Sequence, residues 1–172
     1  MKKLIVILLV LTGVATMQTK ANEIAKYKSL FTLNFIRYIG WPDESKQGDF
    51  VIGVIQNKEL AAELRTQTEG KKFGFQNLVV KEFASVEEVS NCQIIYVSEK
   101  VNYAKNAGLL EQKVGKNTLI VSENSNAIAN GSMINFVIVN EMLKFQVSPT
   151  NFQNKGLTVS NSLISMKNAI RM

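Results

Sequence analysis

The run Phe50–Ile55, which reads FVIGVI, constrains the fold of this 172-residue chain more than any other stretch. A strand that is apolar on both faces belongs in the middle of a sheet that helices cover on both sides. Three more strand-like runs, Leu78–Val80, Gln93–Val97 and Asn117–Val121, alternate with segments of helical pattern. This alternation predicts an α/β fold, with one layered domain over residues 22–172, a mostly parallel sheet and helices on both faces.

The C-terminal part of the sequence departs from this alternation. Met133–Val139 and Met142–Val147 are strand-like runs joined by Asn140 and Glu141, a two-residue connection of hairpin type. We therefore expect a C-terminal hairpin that adds antiparallel strands at one edge of the sheet. The last two segments are predicted to form a loop and a closing helix, Pro149–Gly156 and Ser160–Ala169.

The segment Tyr27–Pro42 is predicted to contain a long amphipathic helix. At 100° per residue, a set of large apolar side chains falls on one broad face: Ile24, Tyr27, Phe31, Phe35, Tyr38 and Ile39. This periodicity predicts that the face is buried. Glycine readily adopts the left-handed conformation common just after a helix, and proline cannot continue a helix. The helix is therefore predicted to end at Gly40, before Pro42.

The opposite face of this helix contains a candidate partner-binding patch. Leu30 and Leu33 lie among polar residues near Arg37, and Trp41 follows the helix. Leucines beside a cation and an aromatic ring have the composition of the centre of a protein interface. In the alternative interpretation, the two leucines pack against a second layer and Trp41 is simply buried after the helix end.

The first 21 residues have the layout of a secretory signal peptide. Lys2 and Lys3 precede the apolar run Leu4–Leu11, and Thr19 and Ala21 supply small residues at the cleavage site. The apolar run is shorter than the roughly 20 residues of a membrane span. We therefore expect an exported protein with no transmembrane segment after signal cleavage. Removal of this segment leaves 17 basic and 14 acidic residues, a mild excess that argues against nucleic-acid binding.

The inventory of reactive side chains argues against catalysis. The chain has no histidine, which excludes Ser-His-Asp and Cys-His arrangements, and it has no glycine-rich phosphate loop. Only an all-oxygen metal site remains, and no Asp-x-Asp-x-Asp-Gly loop is present. We predict no catalytic residue, no cofactor and no metal site. The single cysteine, Cys92, lies in a strand-like run and is predicted to be a buried thiol without a disulfide partner in the chain.

Three polar residues that follow predicted strands form a candidate ligand crevice. Asn57, Ser98 and Ser122 stand at the carboxyl ends of strands, where α/β sheets bind their ligands. Their amide and hydroxyl groups, with free backbone N–H groups, suit a small anionic or polar ligand. The alternative is that Asn57 and Ser98 cap helices and that Ser122 is a turn residue.

Six motifs, in their order along the chain, resemble the YfiR family of exported bacterial proteins. They are Phe35–Pro42, Phe50–Ile55, Asn91–Ser98, Thr118–Ser122, Asn130–Phe136 and Leu157–Ile164. The resemblance implies an α/β fold and a periplasmic regulatory role. It also implies binding to the periplasmic portion of a membrane-bound diguanylate cyclase, which lowers cyclic-di-GMP and biofilm formation.

The sequence departs from this family at two positions. The resemblance implies a redox response through paired cysteines, but Cys92 matches one family position and has no partner in the chain. Sensing through an internal disulfide is therefore not expected for this protein. Ser148 stands after a strand where the family pattern has asparagine.

The sequence leads to two main hypotheses about function and leaves a plain structural envelope protein as a third. In the first, the protein is a periplasmic regulator that inhibits or tunes an inner-membrane diguanylate cyclase or sensor kinase, either as a monomer or as a homodimer. In the second, it is an envelope receptor for a small ligand that binds in the crevice. Thermal-shift screening separates them, because a ligand that binds the folded state raises its melting temperature.

Overall fold

A computed structural model describes residues 21–172 of the protein. Apart from Ala21, the predicted signal peptide lies outside the described residues. Within residues 21–172, no helix combines the length and the apolar character that are needed to cross a membrane.

An eight-stranded mixed sheet forms the centre of the domain. Its strands are β2 (Phe50–Ile55), β3 (Lys72–Phe73), β4 (Gln76–Phe83), β5 (Ile94–Val97), β6 (Leu119–Ser122), β7 (Ile134–Val139), β8 (Met142–Val147) and β10 (Ala169–Arg171). Two short strands, β1 (Ile39–Gly40) and β9 (Thr158–Val159), pair with each other in a separate antiparallel ribbon. The α-helices are α1 (21–38), α2 (Lys58–Thr68), α3 (Tyr103–Lys113), α4 (Pro149–Asn154) and α5 (Asn161–Ile164).

The strand order is β10-β8-β7-β6-β5-β2-β4-β3. Strands β4, β2, β5, β6 and β7 are parallel, which confirms the predicted α/β fold. The apolar run of β2 lies between β4 and β5, as its composition predicts. The hairpin β7-β8 is also confirmed, and Asn140 and Glu141 both have the positive φ of a primed turn, 49° and 62°. Strand β10 pairs with β8 and continues the sheet beyond the hairpin.

The C-terminal segment differs from the prediction in two places. Pro149–Asn154 is a helix, not a loop: the Ser148 hydroxyl accepts a hydrogen bond from the Asn151 N–H, and proline suits the first turn. The predicted closing helix is reduced to α5. The chain then turns, with the Met166 carbonyl accepting a hydrogen bond from the Ala169 N–H at 2.8 Å. The Phe145 N–H donates to the Asn168 carbonyl at 2.9 Å, and this contact begins the pairing of β10 with β8.

The face of α1 that packs on the sheet overlaps the predicted one but is rotated from it: Phe35 and Ile39 are buried as predicted, and Tyr27 is not. Its buried positions recur at helical spacing: Ala25, Lys28, Ser29, Thr32, Phe35, Ile36 and Ile39. Three of these buried residues are polar, and a prediction from apolar side chains alone could not include them. It therefore placed the buried face too close to Tyr27, which is 50% exposed. Phe35 anchors the helix on the hairpin, since its ring lies edge-on to Phe145 with centroids 5.2 Å apart.

The end of α1 is fixed by the ribbon β1-β9 and not by a left-handed glycine. Gly40 is extended and pairs with Thr158 in β1-β9, where an added Cβ would collide with the Thr158 hydroxyl. The Tyr38 carbonyl accepts a hydrogen bond from the Ser160 N–H, at 2.9 Å. The predicted C-terminal glycine cap was therefore wrong, and close approach to the partner strand explains the glycine.

Candidate functional site

A cavity of about 750 Å³ opens at the carboxyl ends of β2, β5 and β6, against the N-terminal half of α1. This is the edge at which open α/β sheets bind ligands. One part of the wall is apolar and comes from α1 and the hairpin: Ile24, Ala25, Phe136, Ile138 and Leu143. Another part is polar: Lys28, Asn57, Ser98, Glu123, Asn124, Asn135 and Gln146. The cavity therefore suits a ligand with one polar and one apolar end.

Lys28 and Glu123 form an ion pair in the polar part of the wall, and both side chains are nearly buried. The side-chain amide of Asn57 donates a hydrogen bond to the second carboxylate oxygen of Glu123, at 3.3 Å. The pair joins α1 to the segment that follows β6. Charges removed from water in this way stabilise the fold only while both partners are present, because either one alone would be an uncompensated buried charge.

Tyr96 of β5 lies beside this pair and is fully buried. The Lys28 ammonium nitrogen is 6.0 Å from the centre of its ring. Burial, and after it the negative charge of Glu123, raises the pKa of the Tyr96 hydroxyl well above its ordinary value. The hydroxyl therefore keeps its proton at neutral pH. Among the described residues it makes no hydrogen bond of ordinary distance and angle, although it lies close enough to Glu123 for that carboxylate to raise its pKa.

A second polar network extends from the cavity wall into the sheet. Asn135 of β7 accepts a hydrogen bond from the Asn124 N–H at 2.9 Å and donates one to the Gln146 side-chain oxygen at 2.8 Å. Asn135 is nearly buried within an otherwise apolar strand. These contacts fix the amides of Asn135 and Gln146, so this wall has a defined arrangement of donors and acceptors.

Of the three predicted crevice residues, two line the cavity. Asn57 caps α2 by accepting a hydrogen bond from the Leu60 N–H, and it also lines the cavity. It is therefore both a helix cap and a crevice residue. Ser98 lines the cavity too, while the cap of α3 is Asn102. Ser122 does not line it. Its hydroxyl is buried and bonded to Ser132 and Asn135.

The residues missed by the sequence analysis are Lys28, Glu123, Asn135 and Gln146. Glu123 follows Ser122 at the end of a parallel strand, which was a usable signal. Asn135 was another, since an amide inside an apolar strand needs buried partners. Lys28 offered no such signal, because it is one of several lysines in the chain and its partner lies 95 positions away.

The predicted partner-binding patch is partly on the surface. Leu30 is 40% exposed and Arg37 is exposed, whereas Leu33 is half-buried against the core. The placement of Trp41 on this surface was wrong: it is only 6% exposed, and its ring packs edge-on against Phe50 with centroids 5.2 Å apart. Tyr27, which was predicted to be buried, is exposed instead. We call the resulting outer surface of α1 the α1 stripe: Tyr27, Leu30, Leu33 and Arg37.

Cys92 is a buried free thiol, as predicted. Burial raises its pKa from 9.0 to about 12. The thiolate, which is the reactive form, is therefore strongly disfavoured at neutral pH. Within residues 21–172, no three His, Cys, Asp or Glu side chains converge in a way that could hold a metal ion.

Comparison with known proteins matches residues 25–167 to the model of the YfiR/HmsC-like family. The match covers most of the chain and confirms the family suggested by the sequence motifs. This family is known in general for periplasmic regulators of cyclic-di-GMP signalling and is not known for enzymes. A search of curated proteins finds no match.

Proposed function

The chain belongs to the YfiR/HmsC-like family, and on this premise we propose that it binds the periplasmic portion of an inner-membrane signalling protein and inhibits its output. We favour a diguanylate cyclase as the partner, since the family regulates cyclic-di-GMP; a sensor kinase is the alternative. The predicted signal peptide delivers the protein to the periplasm. Binding lowers cyclic-di-GMP and thereby biofilm formation.

The observation that carries this proposal is the α1 stripe. Tyr27 and Leu30 are large apolar side chains that remain exposed on a helix whose other face is already packed on the sheet. They are three residues apart and therefore neighbours on the helix surface, and Arg37 continues the same side. Helices that lie in the groove of a partner use anchors at this spacing, and Tyr and Arg are enriched among the residues that dominate binding energy.

The stripe is held on a rigid support. Phe31 and Phe35 pack against Phe145 with ring centroids 5.5 and 5.2 Å apart, and β1-β9 fixes the far end of the helix. A surface that is ordered before binding loses little conformational entropy in the complex. If this surface binds the inactive conformation of the membrane protein better than the active one, it shifts the population of the membrane protein toward the inactive state.

Leu30→Asp tests the proposal. It introduces a charge at the centre of the exposed arc and should leave the fold intact. In a host strain that lacks the chromosomal copy, the wild-type protein should lower intracellular cyclic-di-GMP and Leu30→Asp should not. Leu33→Asp is less suitable, because Leu33 packs against the core and its loss confuses folding with binding.

Met142→Asp is the matched control. Met142 is also an exposed apolar residue, at 53%, but it lies on the hairpin and not on α1. It receives the same charge and should regulate cyclic-di-GMP like the wild type. Regulation by Leu30→Asp at the wild-type level, with both proteins equally abundant in the periplasm, would refute the stripe as the partner site.

A further inference from the structure

The polar wall of the cavity has more hydrogen-bond donors than its own acceptors use. The Lys28 ammonium has three N–H groups and gives one to Glu123. The Gln146 side-chain oxygen is occupied by Asn135, which leaves its amide nitrogen as a donor. A wall of this kind complements a ligand group that only accepts hydrogen bonds, such as a carboxylate.

The opposite wall has no polar group to offer. Phe136 and Ile138 of β7 and Leu143 of β8 lie on one side of the hairpin, because Ile138 pairs with Leu143 in the ladder and Phe136 stands two residues earlier. Ile24 of α1 completes this surface. Ile138 is 58% exposed although it lines the cavity, so a bound apolar group would cover it.

We propose that this cavity binds a small organic carboxylate with an apolar body, and that Lys28 transmits its binding to the α1 stripe. The carboxylate lies at Lys28 and the apolar body lies against Phe136, Ile138 and Leu143. The part of the proposal that concerns the stripe rests on the proposed function; the binding site itself does not.

The ligand carboxylate does not have to displace Glu123. The Lys28 ammonium has two further N–H groups, so it can bind the ligand while Glu123 keeps the ion pair and its hydrogen bond from Asn57. The buried Glu123 carboxylate therefore keeps its counterion. The acidic residues of the rim, Glu59 and Glu99, are exposed and stand beside Lys100, so water and salt screen their effect on an anionic ligand.

Lys28 connects the cavity to the outer surface of α1. It is on the buried face, whereas Tyr27 and Leu30, one and two positions away, are on the exposed face. A ligand carboxylate that shares the Lys28 ammonium with Glu123 changes what holds this part of α1 to the sheet. If the two arrangements of α1 differ in their affinity for the ligand, ligand and partner protein influence each other's binding.

Octanoate and octan-1-ol form a matched pair of probes for the cavity, since they share the apolar chain and differ in the carboxylate. Calorimetry on the purified protein should show saturable binding of octanoate and at least about tenfold weaker binding of octan-1-ol, the size of one charge-assisted hydrogen bond. Equal affinity for the two probes, or no saturable binding of octanoate, overturns the proposal.

The double variant Lys28→Met/Glu123→Gln removes both charges together and so leaves no buried ion alone. It should lose at least about tenfold in octanoate affinity and keep its affinity for octan-1-ol. Unchanged octanoate affinity in the folded double variant contradicts the role of Lys28.

Ile138→Asp gives a second test that does not depend on the buried pair, because its side chain is exposed. The new negative charge and the lost apolar contact should both weaken octanoate binding. Met142→Asp makes the same change on the same hairpin outside the cavity lining and should bind octanoate like the wild type. If the two variants bind octanoate equally well, the apolar wall is not where the ligand lies.

Hydrogen exchange tests the coupling without a partner protein. Octanoate should change the exchange of backbone amides in residues 24–36 of the wild type and not of the double variant. Octanoate binding without any change in amide exchange in α1 would refute the coupling to the α1 stripe, but it would not contradict the binding site. Leu30→Asp should still bind octanoate, so failure of the partner hypothesis is distinguishable from failure of the cavity.

Discussion

Each face of α1 carries residues that an ordinary amphipathic helix would place on the other face. The buried face contains Lys28, Ser29 and Thr32, and the exposed face contains Tyr27 and Leu30. Thr32 and Ser29 satisfy their hydroxyls on backbone carbonyls of the same helix, but Lys28 needs a partner from the sheet. The inner face therefore makes a polar contact with the sheet, and the outer face is the surface that we propose for a partner protein.

The largest expected effect comes from breaking the inner face. Glu123→Ala leaves Lys28 buried without its counterion and should lower the free energy of unfolding by about 3–5 kcal/mol. Urea denaturation measures this directly. The double variant Lys28→Met/Glu123→Gln should recover most of the loss, because it leaves no lone charge. A cost below about 1 kcal/mol for Glu123→Ala would mean that the inner face is not held by this pair.

A smaller effect distinguishes the two leucines of the outer face. Leu33→Asp places a carboxylate against the core and should reduce the free energy of unfolding by about 2 kcal/mol or more, whereas Leu30→Asp should stay within about 0.5 kcal/mol of the wild type. Both are compared by urea denaturation at pH 7. Equal costs would show that the exposed arc of α1 is not centred on Leu30.

The smallest effect at neutral pH concerns Cys92, far from either face of α1. Burial raises its pKa from 9.0 to about 12, so the folded protein holds the thiol proton more tightly than the unfolded chain. Its contribution to stability is complete below pH 9 and is lost as the pH rises toward 12. At pH 10 this loss is on the order of 1 kcal/mol.

The control for this prediction is Cys92→Ala, which should show a shallower decline in stability above pH 9 than the wild type. The difference between the two proteins isolates the thiol from tyrosines such as Tyr96, whose pKa burial also raises. Parallel curves over pH 8–10 would show that the thiol is not buried in solution.

The sequence predicted the sheet better than the helices that complete it. Apolar runs such as Phe50–Ile55 are set by their own composition, and Asn140-Glu141 is a local turn, so both could be read without knowledge of contacts. Helix α4 was missed although Ser148-Pro149 is a good helix start, because the segment lacks apolar periodicity. The face of α1 was misjudged for a related reason: a buried lysine is understandable only with its partner.

In the candidate site too, local sequence features were predicted and features that depend on packing were not. Asn57 and Ser98 were found because the position of a residue after a parallel strand is a local property of the chain. Lys28 and Glu123 were not found, since their pairing depends on how α1 crosses the sheet. The exposure of Tyr27 and the burial of Trp41 depend on the same crossing. Local chemistry identified the edge of the sheet, and only the packing identified which side chains meet there.

The ribbon β1-β9 gives α1 the mechanics of a lever. Its pairing of Ile39 with Val159 immobilises the C-terminal end of the helix, while Lys28 lies eleven residues away, an arm of about 16 Å. Phe31 and Phe35 also hold the middle of α1 on the hairpin, so a displacement at Lys28 would be confined to the N-terminal half of the helix. Its amplitude is greatest at Tyr27 and falls toward Arg37, so a partner seated on the N-terminal half of the helix would detect the motion and one seated near Arg37 would not.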